Sequence, residues 1–110
     1  MSKTSNAKVT LSSGNVFADL GFEDAEDRLA KSQLALQISK IIRGRRLTQA
    51  AAAERLGIDQ PKISRLVQGK LHGFSTAQLM RFLNALGHDV EIVVRERPRQ
   101  KRGKLSVHAA

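Results

Sequence analysis

Apolar residues in the first half of the chain return every three or four positions, which is the spacing of one buried helix face. The pattern predicts a long helix from Glu23 to about Arg43. Acidic residues cluster near its start and basic residues near its end, as the helix dipole favours, and Gly44 is expected to end it. The expected buried positions are Leu29, Leu34, Ile38, Ile41 and Ile42.

Two shorter amphipathic runs follow, and a glycine separates them. Thr48 can cap a helix of about residues 49–56, and Gly57 can stop it in a left-handed conformation. Asp59 can cap a second helix of about residues 60–68. The pattern therefore predicts two short helices joined by a tight turn.

The spacing changes from helical to alternating toward the C-terminus. Ser75 and Gln78 form a capping box for a third short helix, which Gly87 ends and which is expected to bury Leu79, Phe82, Leu83 and Leu86. Residues 89–94 then alternate in period two, which predicts a short strand. Because such a strand needs a partner, we expect it to pair with its copy in a homodimer or with a strand at residues 9–11.

Charge narrows the class of protein. The chain has 110 residues and a net charge of +9, with a pI near 10.9, which is typical of a single small nucleic-acid-binding domain. It has four Phe and no Trp or Tyr, too few aromatic side chains for a platform that stacks single-stranded bases, so duplex DNA is the expected partner. The chain lacks cysteine and any apolar run of membrane-spanning length, which favours a cytoplasmic location.

The inventory of reactive side chains does not indicate an enzyme. The three histidines, His72, His88 and His108, lie far apart in the sequence. Neither a glycine-rich phosphate loop nor a serine-nucleophile motif is present. We therefore expect no catalytic residues, no cofactor and no metal site.

The two short helices meet the physical requirements of a unit that reads DNA. Ala53 is small enough for a close helix crossing, and Gly57 tolerates a positive φ. Ile63 and Leu66 can anchor the second helix. Its free face then carries hydrogen-bonding side chains that suit base edges in the major groove, namely Gln60, Lys62, Ser64, Arg65 and Gln68.

The stretch "LTQAAAAERLGIDQPKISRLVQGK", residues 47–70, resembles the helix-turn-helix of XRE-type regulators, the class of phage repressors and Cro. The wider sequence, about residues 13–95, is similar to the HigA-like antitoxins, which are encoded beside toxin genes. This second similarity rests on the extended first helix and on the ending "LNALGHDVEIVV", residues 83–94.

The resemblance implies an all-α, compact five-helix-type helix-turn-helix domain with an extended N-terminal helix and one short C-terminal strand. The domain is expected over residues 14–94, between a flexible arm at 1–13 and a disordered basic tail at 95–110. The implied base-reading residues are Gln60, Lys62, Ser64 and Arg65. The implied phosphate contacts are Gln49, Gln68, Lys70 and His72.

The implied function is a repressor of its own promoter that also neutralises a ribonuclease-like toxin. Two alternatives stay open at this point. One is a stand-alone phage-type repressor without a toxin, and the other is a protein-interaction module whose helix pair is structural. The basic tail could add phosphate contacts or only solubility, and the acidic residues at 19–27 could contact a basic toxin or only complement the helix dipole.

Overall fold

Four helices make up the regular structure of residues 22–98 and 102–110, which the computed structural model of the chain describes. They are α1 (Phe22–Gly44), α2 (Gln49–Leu56), α3 (Gln60–Val67) and α4 (Thr76–Ala85). The described chain is mainly helical, as expected, but it contains four helices rather than five. The arm at residues 1–13 and the strand expected at 9–11 lie outside the described residues.

Helices α1 and α2 each pack against both α3 and α4. On the predicted buried face of α1, Leu34, Ile38 and Ile42 are buried and Ile41 is half-buried, but the prediction is wrong for Leu29. Leu29 is 55% exposed, whereas Ala30 is buried. Ala30, Leu34 and Ile38 are four residues apart and share one face, and Leu29 lies about 100° from Ala30 around the helix axis. In α4 and just after it, all four predicted residues are buried, namely Leu79, Phe82, Leu83 and Leu86.

Side-chain caps define where the three short helices begin. In each one, a side-chain oxygen accepts a hydrogen bond from the backbone N–H three residues later, which satisfies a donor that the helix leaves unpaired. The bonds are Ala51 N to Thr48 Oγ1 (3.0 Å), Lys62 N to Asp59 Oδ1 (2.9 Å) and Gln78 N to Ser75 Oγ (3.0 Å). The predicted starts of α2, α3 and α4 are therefore confirmed.

The strand predicted over residues 89–94 does not form, and the described part of the chain contains no strand. Val90 is half-buried and packs against the core, but Ile92 is 76% exposed and Val94 is 91% exposed. A strand forms only when a second strand pairs with its backbone groups. No second strand is available within the described residues, so the alternating pattern stays without regular structure.

The C-terminal residues 102–110 lie along α1. Nη1 of Arg102 donates to Oε2 of Glu26 at 3.1 Å, and the backbone N–H of Val107 donates to Oε1 of Gln33 at 3.3 Å. Val107 is also half-buried against the core. The domain boundaries remain a prediction. None of the described helices is long and apolar enough to cross a membrane.

Candidate nucleic-acid interface

The turn between α2 and α3 sets the direction in which α3 leaves the core. Gly57 has φ 71°, and its N–H donates to the carbonyl of Glu54 at 3.3 Å. The N–H of Ile58 donates to the carbonyl of Ala53 at 3.1 Å. A Cβ added at Gly57 would meet nothing within 4 Å, so the left-handed backbone rather than lack of space requires glycine here.

Two side chains anchor α3 in the core. Ile63 is fully buried and Leu66 is 1% exposed. On the facing helix, Ala53 is also buried, which leaves room for α2 and α3 to approach closely. The rest of α3 is consequently held at a fixed angle to the domain.

The polar side chains of α3 gather opposite these anchors. At about 100° per residue, Gln60, Ser64, Arg65 and Gln68 fall on one side of the helix axis. Gln60, Arg65 and Gln68 are exposed, and Ser64 is half-buried. Lys62 lies at the edge of this face and is half-buried, so the structure groups four of the five predicted residues and sets the lysine beside them.

One hydrogen bond links two members of this face. Nε2 of Gln68 donates to Oγ of Ser64 at 3.0 Å. The two residues are one helical turn apart, so their side chains are natural neighbours. The hydroxyl of Ser64 is thereby oriented before any ligand arrives.

The remaining predicted contacts lie outside α3 or at its end. Gln49 is the first residue of α2, and Lys70 and His72 belong to the loop that follows α3; all three are exposed. The loop is tied to α3, because the N–H of Lys70 donates to the carbonyl of Arg65 at 2.9 Å. The three exposed side chains therefore extend from the start of α2 and from a loop that is bonded to α3.

A basic cavity of about 290 Å³ lies between α1 and this loop. Its lining residues are Arg28, Lys31 and Ser32 from α1 and Gly69, Leu71 and His72 from the loop. The sequence indicated His72 but none of the three residues from α1. Their spacing of three and four positions is visible in the sequence and puts them on one helix face. Their proximity to the loop depends on how α1 packs, which no local signal gives.

Comparisons with known proteins agree with this geometry. Residues 16–95 match a family described as a helix-turn-helix domain. A solved structure of a protein named as an XRE family transcriptional regulator is similar to the chain, with 53% sequence identity and a TM-score of 0.75. That similarity covers 79% of this chain and 99% of the other. A search of curated proteins found no match.

Proposed function

The chain belongs to the helix-turn-helix domain family that matches residues 16–95, and from this membership we propose that it is a sequence-specific repressor whose α3 reads duplex DNA. Family and fold make it a DNA-binding, XRE-type transcriptional regulator rather than an enzyme. The finer assignment concerns which residues read bases, how many copies bind and whether a second protein is bound.

The exposed polar face of α3 is the observation that carries the proposal. The helix is fixed to the core on one side by Ile63 and Leu66, so its opposite side is free to meet a ligand. A helix is about 10–12 Å in diameter with its side chains, and the major groove is about 12 Å wide. Arg65 suits the two acceptors of guanine, and Gln60 suits the donor and acceptor of adenine.

Lys62 and Ser64 complete the proposed base-reading set, Lys62 from the edge of the face. Phosphate contacts are assigned to Gln49, Lys70 and His72, which are exposed beside α3, and to Gln68. The amide of Gln68 donates one N–H to Ser64 and keeps a second for a phosphate oxygen.

Selection from a randomised operator pool tests this division of roles. Gln60→Ala and Arg65→Ala should each cost about 1–3 kcal/mol of binding and relax the preference at one or two positions. Lys70→Ala should weaken binding to all duplexes alike, because phosphates carry no sequence information. Circular dichroism checks that each variant is folded. A consensus unchanged in both Gln60→Ala and Arg65→Ala would show that α3 is not the reader.

A homodimer is the proposed binding unit. Three adjacent apolar side chains, Ile92, Val93 and Val94, are 76%, 67% and 91% exposed. Pairing of this segment with its copy would supply the missing strand partner and bring apolar side chains of the two copies into contact across the strands. Two copies would then present two α3 helices about 34 Å apart, one turn of DNA. Light scattering at micromolar concentration tests this, and a monomer that still binds operator tightly would contradict it.

Neutralisation of a ribonuclease-like toxin is the second part of the proposal. It is supported by the similarity to HigA-like antitoxins and by an exposed apolar pair on α1. Leu29 is 55% exposed and Leu36 is 50% exposed, and they lie seven residues apart on one side of the helix. Such a stripe suits contact with another protein.

Co-purification from the native operon tests the toxin assignment. A small protein encoded next to this chain should stay bound through washing and be lost from the Leu29→Ser/Leu36→Ser variant. Ala77→Ser/Ala85→Ser is the control, because both alanines are exposed apolar residues but lie in α4. If no neighbouring protein is retained while operator binding is intact, the stand-alone phage-type repressor becomes the better description.

A further inference from the structure

We propose that the cavity between α1 and the loop at residues 69–72 is an additional DNA phosphate site, which holds one backbone phosphate that α3 does not reach. The inference rests on the proposed function, because it assumes that α3 enters the groove. It adds to that function a contact from α1, the helix that precedes the helix pair.

The chemistry of the lining favours an anion. Two cationic side chains, Arg28 and Lys31, and one hydroxyl, Ser32, line the side formed by α1. His72 lies on the loop side, and the lining residues include no acid. The carboxylate next to Lys31 belongs to Asp27, whose Oδ2 lies 3.4 Å from Nζ of the lysine. Arg, Lys and Ser side chains are the usual partners of phosphate oxygens, and bonds to a charged acceptor are stronger than neutral ones.

The cavity has room for a phosphodiester, since its volume is about 290 Å³. The charge of its lining, and not its volume, is what favours a phosphate over a neutral ligand. The acidic backbone of a duplex supplies such groups at regular intervals, one per strand every ~3.4 Å.

Two contacts hold the α1 wall in place. Oδ1 of Asp27 accepts a hydrogen bond from Oγ1 of Thr76 at 3.0 Å, which ties the start of α1 to the start of α4. Oδ2 of the same carboxylate lies 3.4 Å from Nζ of Lys31, so Asp27 also positions one of the two cations. Asp27 therefore connects this wall to the start of α4.

The loop wall is fixed to the end of α3. The N–H of Gly69 donates to the carbonyl of Leu66 at 3.1 Å, and the N–H of Phe74 donates to the carbonyl of Leu71 at 3.0 Å. Leu71 itself is half-buried against the core. Because both walls are rigid relative to α3, docking of α3 in the groove determines which phosphate the cavity meets.

The test compares two double variants of the full chain that lose the same charge. Arg28→Gln/Lys31→Gln removes the cations of the cavity. Lys40→Gln/Arg81→Gln removes two exposed cations that do not line it. Fluorescence anisotropy then gives the slope of log affinity against log salt for the selected operator and for an unrelated duplex.

We expect the cavity variant to lower the magnitude of that slope by about 1, to weaken binding to both duplexes alike and to leave the consensus unchanged. The control variant should keep the wild-type slope. Arg28→Lys/Lys31→Arg keeps both charges and should restore binding. A methylphosphonate, which removes the charge of one phosphate, should abolish the difference between wild type and the cavity variant at one backbone position.

Three results would overturn the inference in distinguishable ways. Absence of salt-dependent duplex binding by the wild-type chain removes the proposed function and this inference together. Equal slopes for the two double variants, with wild-type binding intact, remove the cavity assignment alone. The third result is that inorganic phosphate binds saturably, as NMR of the amides of residues 69–72 would show, while methylphosphonates have no effect. That result would assign the cavity to a free anion instead.

Discussion

The helix pair α2–α3 and the segment at residues 88–98 are both short and both rich in apolar side chains. Only the helix pair forms regular secondary structure in a single chain. In the pair, each helix closes part of its backbone hydrogen bonds internally, and side-chain caps satisfy donors at its start. Buried side chains such as Ile63 and Leu66 also hold it to the core. In the segment, the apolar side chains of residues 92–94 are exposed and no ladder forms. A helix closes its own hydrogen bonds, whereas a strand depends on a partner, so local sequence decides the first case and not the second.

Matched isoleucines give the largest contrast between the two regions. Ile63→Ala should lower the free energy of unfolding by about 2–5 kcal/mol, because the side chain is fully buried and its loss leaves a cavity. Ile92→Ala removes the same atoms from a side chain that is 76% exposed and should change stability by less than about 0.5 kcal/mol. Urea denaturation of dilute protein measures both. Similar losses at the two positions would mean that residue 92 is buried in the folded chain.

Two glycine-to-alanine variants compare the stability cost at the turn with the cost at an ordinary helix end. Gly57→Ala should destabilise the domain by about 1–2 kcal/mol, because φ is 71° there and an alanine is strained in that conformation. Gly44→Ala is the control. Gly44 closes α1 without a positive φ, and its Cβ would also meet nothing within 4 Å. That change should be neutral or stabilise by about 0.5–1 kcal/mol. Thermal denaturation distinguishes the two, and an equal effect at both positions would contradict the role of Gly57.

Two aspartates test the helix cap of α3. Asp59 caps this helix, and Asp89 is the control because it caps no helix among the described residues. Asp59→Ala removes the acceptor of the 2.9 Å bond from Lys62 N and should cost about 1 kcal/mol. Asp89→Ala changes the charge identically in an exposed position of the 88–98 segment. It should leave the melting temperature within a degree or two, since surface substitutions are usually small. Differential scanning calorimetry provides the comparison, and a larger effect at Asp89 would contradict it.

Substitutions in the exposed segment should have the smallest effect on folding stability. Their effect should instead be seen in the equilibrium between monomer and dimer. Ile92→Ser/Val94→Ser should change the stability of the monomer by less than about 0.5 kcal/mol. It should nevertheless shift the proposed dimer toward monomer, because the side chains covered in the pairing become polar. Sedimentation velocity at several concentrations measures this shift. An unchanged dimer would place the interface elsewhere. Leu105→Ser is the control, since it makes an exposed leucine outside this segment polar.

Sequence patterns predicted the parts of the fold that local chemistry controls. The bounds of α2 agree with the prediction at both ends, and α3 differs only at its last residue, because caps and glycines mark these ends directly. The strand was predicted wrongly because alternation reports a preference for pairing and not the presence of a partner. The cavity beside the loop was not predicted at all, since Arg28 and His72 are 44 positions apart in the sequence.

The bond from Gln68 to Ser64 links two of the DNA contacts proposed for α3. A serine hydroxyl has one proton to give and two lone pairs, and one of those lone pairs is already taken by the amide. Its proton and its second lone pair remain available, so the hydroxyl can still donate to an acceptor such as the N7 of a purine. In the proposed binding mode Ser64 contacts a base and Gln68 contacts a phosphate, so this bond would couple a base contact to a backbone contact. A substitution at Gln68 should therefore change the base preference as well as the affinity.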